Sequence, residues 1–178
     1  MEKWVIAAKR ADFQKIAQTF HIDPVTARLL RNRDVVGMEE MEKYLHGDLS
    51  LLPSPWRMKD MEKAVDILEE KIRQSRKIRV IGDYDIDGVM ASYILVRGLR
   101  CLGAAADVMI PHRIPDGYGI NESLIEKAAK DQVDTIVTCD NGIAAAGQIG
   151  RAKELGMTVI VTDHHEVPYR EEGGERLE

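Results

Sequence analysis

The 178-residue chain is poor in cysteine, in long apolar runs and in surplus positive charge, and each shortage narrows what it can be. Its two cysteines, Cys101 and Cys139, stand far apart with no CxxC spacing, which excludes a disulfide framework and a zinc knuckle. No stretch approaches the ~18 consecutive apolar residues of a membrane span. The opening Met1-Glu2-Lys3-Trp4-Val5-Ile6 does not have the apolar core of a secretory signal. A cytoplasmic protein with no membrane partner is the resulting expectation. The remaining composition, 44% hydrophobic and 31% charged, suits a globular chain able to build one good core, or a core domain with a helical appendage.

A net charge of −5 argues against a nucleic-acid partner only when taken as one number. Residues 1–80 carry 16 Lys and Arg against 13 Asp and Glu, whereas residues 81–178 carry 9 against 17. The acidic half also holds the residues best suited to bind cations, and bound cations would cancel several of its charges. A polyanionic substrate therefore stays open.

Residues 1–55 read as a lead-in of short helices. Asp23-Pro24 is a helix start, with Asp as N-cap and Pro at the first helical position, and Met38 to Leu45 suits another helix. Leu51-Leu52-Pro53-Ser54-Pro55-Trp56 breaks the pattern and marks the joint with a main domain at 56–178. There, Met61, Ala64, Val65, Leu68 and Ile72 form one apolar helical face. Strands at 77–81, 107–110, 134–139 and 158–162 then alternate with helices at 89–102, 121–130 and 144–155. The β-branched runs Thr135-Ile136-Val137 and Val159-Ile160-Val161 suit strands buried on both faces. The expected fold is α/β, a mainly parallel sheet flanked by helices.

In such sheets ligands sit beyond the carboxyl ends of the strands, and here each of the four strands ends in polar chemistry. After Ile81 comes Gly82-Asp83-Tyr84-Asp85-Ile86-Asp87-Gly88. After Ile110 comes Pro111-His112-Arg113-Ile114-Pro115-Asp116-Gly117-Tyr118-Gly119. Cys139 leads into Asp140-Asn141-Gly142, and Thr162 into Asp163-His164-His165. Three alternate carboxylates repel one another unless a cation sits among them, and carboxylate oxygens suit Mg²⁺ and Mn²⁺. The box mimics the opening of a calcium-binding EF-hand loop, but position twelve of that loop would be Ile94, which cannot ligate. Helix capping accounts for at least one of the three carboxylates. Asp140-Asn141-Gly142 alone reads as a turn or cap. The paired histidines behind Asp163 favour ligation, since neutral imidazole is a common metal ligand. Arg113 and His112 stand where a phosphate needs donors, and Tyr118 suits stacking on a base or packing.

Taken together, the acidic box, the Asp140-Asn141-Gly142 turn and Asp163-His164-His165 resemble the DHH phosphoesterase superfamily. The loop Arg113–Gly119 and the leading helices resemble its single-stranded-DNA-specific exonucleases. The resemblance implies 5′-to-3′ hydrolysis of single-stranded DNA in recombination and repair, at a two-metal Mn²⁺ or Mg²⁺ centre, alongside single-strand-binding protein and helicase partners. It implies Asp85, Asp87, Asp140 and His164 as metal ligands, with Asp140 bridging, and Asp83 as a ligand or supporting carboxylate in the catalytic set. It implies His165 at the scissile phosphate or leaving group, and Arg113, with His112 and Tyr118, on the substrate. Members of that family continue with a further metal-binding Asp and a substrate-holding domain. The expectation is therefore a fragment that binds one metal weakly and turns over poorly or not at all. Two rivals share the motifs: a phosphoesterase for oligonucleotides, cyclic dinucleotides or pyrophosphate, and a non-catalytic metal- or nucleic-acid-binding module. A haloacid-dehalogenase-like phosphatase fits less well, because Gly88 stands where its motif carries Thr.

Overall fold

The computed structural model describes residue 3, residues 9–172 and residues 175–177. Most of the opening segment considered above as a signal lies outside the described residues. The chain divides into two compact units, Met1–Met58 and Lys59–Glu178.

The first unit contains α1 (Phe13–Phe20), α2 (Pro24–Asn32) and α3 (Met38–His46). Asp23 caps α2 by accepting the amides of Val25 and Thr26 at 2.8 and 3.0 Å, with Pro24 supplying a helical φ and no unsatisfied N–H. Ile16, Ala17, Ala27, Leu30 and Met41 form a small separate core. Two 3₁₀ turns, Leu49–Leu51 and Pro55–Arg57, replace regular helix where the prolines fall.

The second unit runs α4 (Met61–Arg73), β1 (Lys77–Ile81), α5 (Ile86–Cys101), β2 (Ala105–Met109), α6 (Glu122–Lys130), β3 (Thr135–Cys139), α7 (Ala146–Glu154) and β4 (Thr158–Thr162). A short antiparallel pair, β5 (Arg170–Glu172) and β6 (Glu175–Leu177), follows where the sequence reads as a polar tail. The main sheet is wholly parallel in the order β2-β1-β3-β4. From β1 the chain adds β2 on one side and returns to add β3 on the other, so the switch in direction falls between β1 and β3. The crevice that such a reversal opens lies outside their carboxyl ends.

Period-two alternation divides the buried strand residues between two cores. Ile78, Val80, Val137 and Cys139 pack with Val96 and Leu99 of α5 and with Ile67, Leu68 and Ile72 of α4. Ile81 and Ile136 pack with Leu124, Ile125 and Ala128 of α6 and Ala152 of α7. Arg79, only 4% exposed, interrupts the apolar strand. Its guanidinium forks onto both oxygens of Asp107, each at 2.7 Å, and reaches Asp131 at 2.8 Å. These hydrogen bonds push Arg79 up and hold Asp107 and Asp131 below the usual carboxylate range.

The starts of α5 and β2 differ from the sequence reading for identifiable reasons. Helix α5 starts at Ile86, not Val89, because the Asp85 carboxylate accepts the Gly88 amide at 2.9 Å and opens the helix inside the acidic box. Strand β2 starts at Ala105 because it pairs in register with Lys77 onward, a tertiary demand that overrides the low strand preference of alanine. Among the described residues no helix is long and apolar enough to cross a membrane.

Candidate metal centre

The carboxyl ends of β1, β3 and β4 bring three of the four motifs to one edge of the sheet, and the loop after β2 closes over them. Asn141 fixes this junction. Its amide group, almost wholly buried, donates to the carbonyls of Ile81 (3.1 Å) and Cys139 (2.9 Å), and its oxygen accepts the Ile120 amide at 3.1 Å. One side chain thus ties the end of β1, the end of β3 and the end of the Pro111–Gly119 loop. The sequence reading placed Asn141 in a turn but gave it no further role. An amide following a buried strand and preceding glycine was the available signal.

Asp140 adopts a left-handed conformation, φ 62°, at the last turn out of β3. Its side chain is 6% exposed and meets Nε2 of His164 at 2.7 Å. One ligating atom each from Asp140, His164 and His165 lie within 4.8 Å of one another. Asp163, another residue missed as a functional group, is buried beneath the histidines with its side chain 2% exposed. It accepts the Ile143 amide at 3.0 Å and holds Nδ1 of His165 at 2.6 Å. Burial works against its ionisation, but the Ile143 amide and the His165 ring outweigh this and hold the carboxyl below the usual range. The hydrogen bond to Asp163 raises His165 in turn.

The acidic box is split by its own backbone. Asp83 turns inward, 1% exposed, and its side chain meets the Gly119 amide at 3.4 Å. Asp85 caps α5 and is exposed; Asp87 sits exposed in the first helical turn, outside the Asp140–His164–His165 cluster. Gly88 allows this geometry: a Cβ there would lie 2.6 Å from both the nitrogen and the oxygen of Asp83. Tyr118 stands over the cluster, donating its hydroxyl to the Asp140 carbonyl at 3.1 Å and lying 3.3 Å from Nε2 of His165. Burial and the surrounding charges of Asp83, Asp140, Asp163 and Asp85 push its phenol up to about 12. His112 and Arg113 are exposed on the loop, which is closed by the His112 amide on Asp116 at 2.8 Å.

The donor set suits a divalent cation. Among the described residues Asp83 has no cationic partner despite its burial, and a buried carboxylate is costly without one. Carboxylate oxygens mixed with imidazole nitrogens favour a borderline ion such as Mn²⁺ over one that prefers oxygen alone.

Comparison with known proteins gives a consistent picture. The profile described as "DHH family, N-terminal domain" matches residues 77–175. The chain is 38% identical over 165 residues to the single-stranded-DNA-specific exonuclease RecJ of Bacillus subtilis, covering 92% of this chain and 21% of that protein. It is 37% identical over 146 residues to the RecJ of Escherichia coli, covering 81% and 24%. Among solved structures it resembles exonuclease RecJ bound to manganese, at TM-score 0.61 and 41% identity over 68% of this chain and 30% of that one. RecJ in complex with Mn²⁺ from Thermus thermophilus follows at TM-score 0.60 and 30% identity, over 88% and 21%. The chain spans about a fifth to a quarter of the length of these curated relatives.

Proposed function

This chain belongs to the DHH family, and on that premise we propose that it carries metal-binding residues of a nuclease that hydrolyses single-stranded DNA from the 5′ end. The observation that carries the reading is the cluster of Asp140, His164 and His165 beyond the carboxyl ends of β3 and β4, together with the buried carboxylate of Asp83 beyond the end of β1, which calls for a cation. In this reading Asp140 and His164 hold Mn²⁺ or Mg²⁺, with Asp85 and Asp87 as further ligands and Asp83 as a ligand or a support. The cations, when bound, polarise the phosphodiester and activate water.

The chain's own residues orient and protonate. Asp163 grips Nδ1 of His165 and turns Nε2, which faces the Tyr118 hydroxyl at 3.3 Å, toward the scissile phosphate or the leaving oxygen that takes its proton. Arg113, with His112 and Tyr118, binds the substrate from the loop. A cytoplasmic location, a role in recombination and repair, and single-strand-binding protein and helicase partners belong to the same proposal.

Calorimetric titration with Mn²⁺, followed by assays on long single strands, duplexes and dinucleotides, tests it. Binding that is lost in Asp140→Ala is expected, with slow turnover confined to single strands. No Mn²⁺ binding at all overturns the reading, and rapid hydrolysis of dinucleotides alone turns it toward a small-substrate phosphoesterase.

A further inference from the structure

The guanidinium of Arg113 lies over the ring of Tyr84, 5.4 Å from its centroid. Tyr84 comes from the acidic box and Arg113 from the loop after β2, so this contact joins two motifs that no backbone ladder connects. The loop itself does little to aim Arg113. It is pinned at its base by the Asp116 amide on the His112 carbonyl (3.0 Å) and by the Asn121 side chain on the Asp116 carbonyl (3.1 Å). Its tip residue Ile114 is 95% exposed and contributes nothing to the core. Among the described residues Arg113 has no carboxylate partner.

An aromatic ring holds a guanidinium by its flat face and leaves the N–H edge unused. A carboxylate partner would occupy that edge and cancel the charge. Tyr84 is itself fixed. It is half-buried, its ring meets that of Tyr118 edge-on at 6.4 Å, and Tyr118 is held by the Asp140 carbonyl. A continuous run Asp140–Tyr118–Tyr84–Arg113 therefore sets where the cation stands relative to the metal-binding edge.

We propose that Tyr84 is a positioning residue, which holds Arg113 over its ring beside the metal centre so that its donors stay free for a phosphate of the DNA strand. This rests on the nuclease reading above. The bland alternative is a surface contact with no bearing on the ligand, and a double-mutant cycle separates the two.

The test uses the 178-residue chain with Mn²⁺ and a short 5′-phosphorylated oligothymidylate, with binding followed by fluorescence anisotropy at fixed salt. Tyr84→Leu, which keeps bulk and removes the ring, is expected to weaken binding by about two- to five-fold, the size of an exposed cation–π contact. Tyr84→Phe keeps the ring and binds as the parent does. In an Arg113→Ala background Tyr84→Leu costs nothing further, and Mn²⁺ affinity is the same in all four proteins. Equal losses from Tyr84→Leu with and without Arg113, or no loss in either, overturn the positioning role while leaving the nuclease reading intact. A parent chain that binds Mn²⁺ but no oligothymidylate overturns both.

Discussion

Replacing Gly88 by alanine places a Cβ 2.6 Å from the amide nitrogen and the carbonyl oxygen of Asp83, and 2.8 Å from its carbonyl carbon. Ordinary contact begins at 3.4 Å, so Asp83 and the start of α5 must separate by about 0.8 Å, and both are rigid backbone. Overpacking of this kind costs about 1–3 kcal/mol. Better helix propensity returns at most about 1 kcal/mol, and less in a first turn. The net expectation is a loss of about 1–2 kcal/mol in urea denaturation followed by far-UV circular dichroism. Gly98 supplies the control within the same helix, because a Cβ there meets nothing within 4 Å. Gly98→Ala should stabilise by about 0.5–1 kcal/mol. Moving Asp83 should also weaken Mn²⁺ by at least about ten-fold in Gly88→Ala, and not at all in Gly98→Ala. If both variants shift stability in the same direction, or Gly88→Ala binds Mn²⁺ as tightly as the parent, the packing argument for the acidic box is wrong.

Asn141→Ala strips partners from three buried backbone groups and should cost about 3 kcal/mol or more by urea denaturation, with the Ile120 amide losing hydrogen-exchange protection first. Arg79→Ala leaves Asp107 only the looser 3.5 Å contact with Lys77 and should cost about 2 kcal/mol at neutral pH, below the range for a fully buried pair because Asp107 keeps that partner and a third of its side chain in water. Asp107 and Asp131 have lowered folded-state pKa values, so their contribution is complete above the unfolded value near 3.8 and is lost as pH falls through the folded ones. The gap between parent and Arg79→Ala should therefore be flat from neutral pH down to about pH 5 and narrow below about pH 4. Saturating Mn²⁺ should raise the melting temperature of the parent, by the equivalent of about 2.7 kcal/mol at a hundred times Kd, with chelation reversing it and Asp140→Ala abolishing it.

Strands β1 and β4 and the cap Asp23 were legible from the sequence because hydrophobic run, β-branching and capping chemistry coincide there. Helix α5 began earlier than its apolar pattern suggests, since the cap that starts it is one of the carboxylates read as a ligand. The two alanines that open β2 carry almost no strand signal, and only pairing with β1 makes them one. At the candidate site, the rule that ligands gather at carboxyl strand ends was enough to bring Asp140, His164 and His165 into view together. It could not rank the box residues, because composition does not record that Asp83 turns inward while Asp87 stands exposed in the first turn of α5. Asn141 and Tyr84 escaped for a related reason, since Asn141 ties Ile81 to Ile120 and Tyr84 meets Arg113 across long sequence separations. Asp163 grips His165 only two residues on, and it escaped because spacing does not show that its side chain is buried.

The left-handed backbone at Asp140 filters substitutions twice, by unrelated criteria. Conformation favours glycine, asparagine and aspartate at φ 62° and resists β-branched residues. Anionic ligation admits aspartate and glutamate. Only one amino acid passes both filters, so drift at this position has two near-neutral exits for the backbone, asparagine and glycine, and both remove the charge. Chains that keep the fold but abandon the metal should therefore carry Asn or Gly at the equivalent of residue 140, and chains that keep the metal should carry Asp with almost no variation.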